Sequence, residues 1–276
     1  NRATSTTTRQ GFGGYSIFAP TMRGGDNFFG LNSLGSNQGA IACSLDKNSD
    51  GSMVISGKGR IQARFTNGFF VMVNEGGPSS STIVQDLNID NTQRGQTKYG
   101  GRGIHWDGHP EASGYNSINN CHIVTKELPL NQEYFHKENY PLGGCYGIQV
   151  ESCANNLVIQ DNYIEINGDS QSAVYRLSGT DKEPLRPTGI NNTFVSLREN
   201  VVDSSPWARS SVFKPGGVNG DNLGPHKNNH IIFNDCLVDF QGSNTGNILF
   251  EDTTIEYREA GTIHPSPYMI DYRGGG

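Results

Sequence analysis

One short pattern recurs along this chain and restricts its fold more than any other feature. It is an apolar residue, two polar residues, a middle residue, any residue, and a second apolar residue. The copies are Val84-Gln85-Asp86-Leu87-Asn88-Ile89, Ile118-Asn119-Asn120-Cys121-His122-Ile123 and Ile159-Gln160-Asp161-Asn162-Tyr163-Ile164. Three more follow: Leu197-Arg198-Glu199-Asn200-Val201-Val202, Phe233-Asn234-Asp235-Cys236-Leu237-Val238 and Phe250-Glu251-Asp252-Thr253-Thr254-Ile255. The third residue is always Asp, Asn or Glu and suits a turn, and an alternating segment follows it, so each copy reads as strand, corner, strand. The starts fall 34, 41, 38, 36 and 17 residues apart. Loops of different length inserted into similar rungs give that kind of spacing.

A helical fold fails because the apolar period inside each segment is two, and Gly, Asn and Thr interrupt any longer stripe. A β-sandwich is the real competitor, since short strands with turn signals also fit it. The recurrence of one corner chemistry favours a parallel solenoid, because sandwich strands need not repeat one another. Asn162 and Asn200 occupy matching places in consecutive copies, where side chains about 4.8 Å apart would form an amide ladder. Composition agrees: glycine is abundant at 36 residues and charged residues make up only 17%. The expected organisation is one domain with an irregular cap over 1–50, coils over 51–257 and a tail over 258–276. Asn1 at one end and Gly274-Gly275-Gly276 at the other read as the ends of either a processed product or a piece of a longer chain.

The best coil is Tyr146-Gly147-Ile148-Gln149-Val150-Glu151-Ser152 followed by Asn155-Asn156-Leu157-Val158-Ile159-Gln160-Asp161-Asn162-Tyr163-Ile164. It resembles the repeating coil of the pectate-lyase-like superfamily of right-handed parallel β-helices, and the resemblance extends over about 52–257. It implies a right-handed parallel β-helix with long loop insertions. It implies no single chemistry, because lyases, hydrolases, epimerases, phage tailspikes and adhesins share such coils. Val212-Phe213-Lys214-Pro215-Gly216 and Gly224-Pro225-His226 loosely resemble polygalacturonase stretches, but the paired aspartates of that family are absent, so its mechanism is not carried over.

A second set of strands stands beside the corners: 103–107, 147–151, 173–177 and 211–214. Stacked in register, their outward residues form one face holding His105 and Asp107, Gln149 and Glu151, Tyr175 or Arg176, and Phe213 or Lys214. Asp107 and Glu151 are the natural carboxylate pair: about 5–5.5 Å between carboxyl groups suits retaining glycoside hydrolysis, and a wider pair leaves space for an inverting water. A lyase would need a base and a cation against a uronate carboxylate, for which Arg176, Arg209 and Lys214 are candidates, with His105 or His109 as alternatives. Trp106, Tyr175, Trp207 and Phe213 are candidates for stacking on sugar rings. Each has a plainer reading: Asp107 as the turn residue of Asp107-Gly108, Glu151 as a solvated strand end, Lys214 as a surface side chain and Trp207 as loop packing.

Other signals are weaker. Asp46, Asn48 and Asp50 match the first half of an EF-hand loop, but its twelfth position is Gly57, so an Asx-rich turn competes with a Ca²⁺ site. No cofactor is otherwise expected. His226 and His230 lack a third ligand at metal spacing. Cys145 and Cys153 are close enough to bridge a loop, yet the five cysteines read mainly as small buried hydrophobes. Asn191-Asn192-Thr193 is a glycosylation sequon that matters only in a eukaryote. A net charge of −6 argues against a nucleic-acid partner, and no apolar run of 18 residues is present to span a membrane.

Insertions at 90–116, 125–145 and 204–228 are large for a purely structural rod. The expectation is therefore an extracellular, glycan-recognising and glycan-cleaving module, secreted or on a virion tail and trimeric like a phage tailspike. A secreted polysaccharide lyase or hydrolase, and a non-catalytic adhesive rod, are the alternatives.

Overall fold

The computed structural model describes residues 21–23, 27–30, 41–44, 52–58, 60–64, 69–74, 81–91, 102–108, 114–126, 145–151, 156–168, 172–178, 187–198, 210–215, 223–241, 248–259 and 268–273. All the regular structure among them is β. Sheet A runs through Thr21–Arg23, Ser52–Lys58, Ser81–Gln85, Asn116–Asn119, Leu157–Gln160, Thr188–Ile190, Leu223–Lys227 and Ile248–Glu251. Sheet B runs through Asn27–Gly30, Arg60–Arg64, Asn88–Asn91, His122–Lys126, Tyr163–Asn167, Thr193–Leu197, His230–Phe233 and Thr254–Tyr257. Sheet C runs through Ile41–Ser44, Phe69–Asn74, Arg102–Asp107, Tyr146–Glu151, Ser172–Ser178, Ser210–Pro215, Cys236–Gln241 and Tyr268–Arg273.

Neighbouring strands in every sheet pair in parallel, each with the strand three places away in the chain. One strand from each sheet makes a coil, and the described strands make eight: a parallel β-solenoid. Strands of coils one and eight lie outside 51–257, at Thr21–Arg23 and Tyr268–Arg273 among others. The antiparallel pairing that a sandwich needs is absent from these sheets.

The corner between sheets A and B explains the repeat. In coils three to eight it is always two residues long. The first of the two has a positive φ: Asp86 (57°), Asn120 (49°), Asp161 (56°), Asn191 (55°), Asn228 (53°) and Asp252 (45°). Asp and Asn enter this left-handed region most readily among residues with a side chain, because they can hydrogen-bond locally. These corner side chains also bond each other, Asn120 Nδ2 donating to Asp86 and Asn191 Nδ2 donating to Asp161. In coils five to seven the second corner residue is a buried asparagine, and these three build an amide ladder. Asn162 Nδ2 donates to Asn192 Oδ1 (3.0 Å), and Asn192 Nδ2 donates to Asn229 Oδ1 (3.0 Å). The same oxygens accept the backbone N–H groups of Asn162 and Asn192 (3.1 and 2.8 Å).

Two of the six copies are thereby reassigned. The segments at 197–202 and 233–238 belong to the junction between sheets B and C, where the Arg198 N–H donates to Asn234 Oδ1 and Asn234 Nδ2 donates to the Arg198 carbonyl. The A-to-B corners of coils six and seven are Asn191-Asn192 and Asn228-Asn229, so Asn192 takes the ladder place expected for Asn200, which lies outside the described residues. The apolar anchor before the corner is missing there for a steric reason. Gly189 and His226 are register partners on adjacent strands, and a Cβ on Gly189 would fall 2.2 Å from His226 Nδ1. One imidazole fills the space that two aliphatic side chains would otherwise share. His226 is fully buried against Tyr175, Phe194, Phe213 and Phe250, and burial holds its pKa down at about 4.

The core is the stack of inward residues from all three sheets, including Val84, Ile118 and Ile159 from A, Ile89, Ile123 and Ile164 from B, and Ile104, Ile148, Tyr175 and Phe213 from C. Cys121, Cys145 and Cys236 are buried, and burial pushes the Cys121 thiol up to about 12, which leaves it inert as a nucleophile. Cys43 stands on the strand Ile41–Ser44, and Cys153 lies outside the described residues. Coil eight is different: Leu249, Ile255, Tyr257, Tyr268, Met269 and Ile270 are all exposed, and its strands are the edges of the three sheets.

Candidate functional site

Connection lengths single out one sheet. While the A-to-B corner stays at two residues, the B-to-C connection of coils three to eight takes 10, 19, 4, 12, 2 and 10 residues. The seven C-to-A connections that join the coils take five to nine residues each. Sheet C is therefore the sheet with variable insertions along both sides, the usual place for recognition on a rigid scaffold.

Side chains alternate across a strand, so the residues between the core positions of sheet C point outward. The register stacks them in one row: His105, Gln149, Arg176, Lys214, Asp239 and Asp271. His105, Gln149, Lys214 and Asp239 are 7%, 4%, 2% and 0% exposed although they point away from the core, whereas Arg176 is half-buried. Lys214 Nζ lies 3.6 Å from Asp239 Oδ2, an ion pair buried on both sides. The Arg176 guanidinium sits 4.8 Å above the centre of the buried Tyr146 ring.

This resolves the alternatives left by the sequence. Arg176 and Lys214, with His105 and Gln149, occupy the outward row. Trp106, Tyr175 and Phe213 face the other way and are fully buried core residues, with Tyr175 and Phe213 packed edge to face at 6.3 Å. Their rings are closed off from a ligand on the outer face, so the expected sugar stacking by these three is corrected. Asp107 and Glu151 are Cα partners on adjacent strands, two positions after His105 and Gln149; their side chains lie outside what is described. Trp207, Arg209 and His109 lie outside the described residues, as do Asp46, Asn48 and Asp50. Among the described residues no group of three His, Cys, Asp or Glu side chains is placed to hold a metal, and no helix is long and apolar enough to cross a membrane.

Two members of the site escaped the sequence reading. Asp239 carries its own signal, a carboxylate inside the apolar run Leu237-Val238-Asp239-Phe240, where an acid needs a partner. Tyr146 has none, because an aromatic at the start of a strand reads as core.

Comparison with known proteins assigns no family: no family model matches the chain, and no curated protein or solved structure matches it. The likeness to β-helix proteins rests on the all-β, three-sheet parallel coil.

Proposed function

We propose that the outer face of sheet C binds, and the Asp107/Glu151 pair cleaves, an extracellular glycan, in the manner of a tailspike-like depolymerase on a right-handed coil. Right-handed is the hand that parallel crossovers take in nearly all proteins. The supporting observation is register: Asp107 and Glu151 occupy partnered positions on neighbouring rungs, which parallel strands set about 4.8 Å apart. That is close to the about 5–5.5 Å of a retaining pair. One carboxylic acid would protonate the glycosidic oxygen while the other carboxylate attacks the anomeric carbon, and water would then release the sugar from the second residue. Trimeric assembly and secretion or carriage on a virion belong to the same reading.

The test is incubation of the chain with a panel of bacterial and plant polysaccharides, following reducing ends and the ultraviolet absorbance of unsaturated products. New reducing ends without that absorbance are expected. Asp107→Asn with Glu151→Gln should lower turnover at least about a hundredfold with the coil still folded. Turnover undiminished in the double variant would remove the pair. Unsaturated products would replace hydrolysis by elimination, and binding without cleavage would leave an adhesive rod.

A further inference from the structure

Four described cations are each set against a carboxylate. Arg198 Nη1 lies 3.2 Å from Asp235, Lys214 3.6 Å from Asp239, Lys227 3.8 Å from Glu251 and Arg258 2.8 Å from Glu256. Arg176 is set against a ring instead and, among the described residues, has no carboxylate at ion-pair distance. In a chain of net charge −6 that is a departure with a chemical consequence. The faces of a guanidinium bind to π systems, and its five N–H donors lie in its plane. A ring beneath it therefore restrains the guanidinium while leaving positive charge and N–H donors for another group.

Position points the same way. In the register row, Gln149 precedes Arg176 and Lys214 follows it, and both neighbours are buried while Arg176 is reached by solvent. Lys214, the other cation of this face, is occupied by the buried carboxylate of Asp239, whose removal would leave an uncompensated charge. The two cations thus differ in kind: one closes an internal pair, the other remains available.

We infer that Arg176, seated over Tyr146, is an anion subsite on the outer face of sheet C, and that the bound glycan carries a carboxylate or sulfate group there. A planar fork matches both anions in a two-point contact, which the point charge of a lysine cannot reproduce. The inference rests on the glycan-binding reading for the nature of the polymer, but not for the presence of the anion.

The experiment measures binding of four polymers by affinity electrophoresis and calorimetry: dextran, polygalacturonate, dextran sulfate and polyglutamate. The expected result is binding of one or both acidic glycans, little of dextran, and at least about a tenfold loss in Arg176→Gln. Arg176→Lys should recover only part of it, and Tyr146→Phe, which keeps the ring, should bind like the unaltered chain while Tyr146→Leu weakens. Polygalacturonate against dextran sulfate separates carboxylate from sulfate. Equal binding of dextran would overturn the anion subsite and leave the glycan reading standing. Polyglutamate binding as well as the acidic glycans, still dependent on Arg176, would sustain the subsite and overturn the glycan. Acidic-glycan binding indifferent to Arg176→Gln would overturn the assignment, and no binding of any polymer would overturn both.

Discussion

The two sides of this coil solve opposite problems. At the A-to-B corner every coil from three to eight turns in two residues, with Asp or Asn in the left-handed region. On either side of sheet C the chain leaves and re-enters with connections of two to nineteen residues. The corner tolerates little because its side chains bond the coils above and below. The other flank tolerates much because its loops are not needed to hold the stack: coil seven closes the B-to-C junction with two residues. Stability and variability have been assigned to different edges of one rod.

Four variants would break or sharpen that contrast. Asn192→Ala removes an amide that makes four hydrogen bonds, to the backbone and side chain of Asn162, the Ile159 carbonyl and Asn229. Stranding those buried partners should cost about 4 kcal/mol, seen as a large fall in the denaturant midpoint. Acid should act through His226. Above pH 6.5 neither the folded nor the unfolded chain protonates it, so it contributes no pH dependence. As pH falls from 6.5 to about 4, the unfolded chain takes up a proton that the folded one refuses, and stability drops by about 3 kcal/mol before levelling off. His226→Phe should flatten that part of the stability profile; an unchanged slope would exonerate the imidazole.

Gly189→Ala should cost about 2 kcal/mol by pressing a methyl group into the same ring. Adding His226→Ala should give back part of that loss in a double-mutant cycle, since the clash is shared. The smallest effect belongs to the flank. Shortening the nineteen-residue connection of coil four to the four residues of coil five should change stability by about 1 kcal/mol or less. A collapse of the fold there would mean the insertion is structural after all.

How far the sequence spoke depended on which chemistry each coil used. Where the anchor before the corner is Val84, Ile118, Ile159 or Phe250, the corner was legible directly. Where it is Gly189 or His226, a short-range pattern finds nothing, because the space is filled by a neighbour 37 positions away in the chain. The segments 197–202 and 233–238 imitate the same spacing at a different junction. The strands of sheet C are legible in the sequence, but the direction in which their rings face is not. Ala173, Val174 and Tyr175 are all buried, so the period-two signal that would have separated Tyr175 from Arg176 is erased in that strand. The pairing of Arg176 with Tyr146, thirty residues apart, has no local signature at all.

The amide ladder also bears on how such a rod comes into being. Its bonds join residues 30 to 41 positions apart, from Cys121 through Asn162 and Asn192 to Asn229. No corner can complete its bonding alone, and a finished coil presents a ready row of donors and acceptors to the next. Assembly then resembles crystal growth on a seed, slow to begin and quick to extend. The three asparagines of coils five to seven are where the seed has the most to offer.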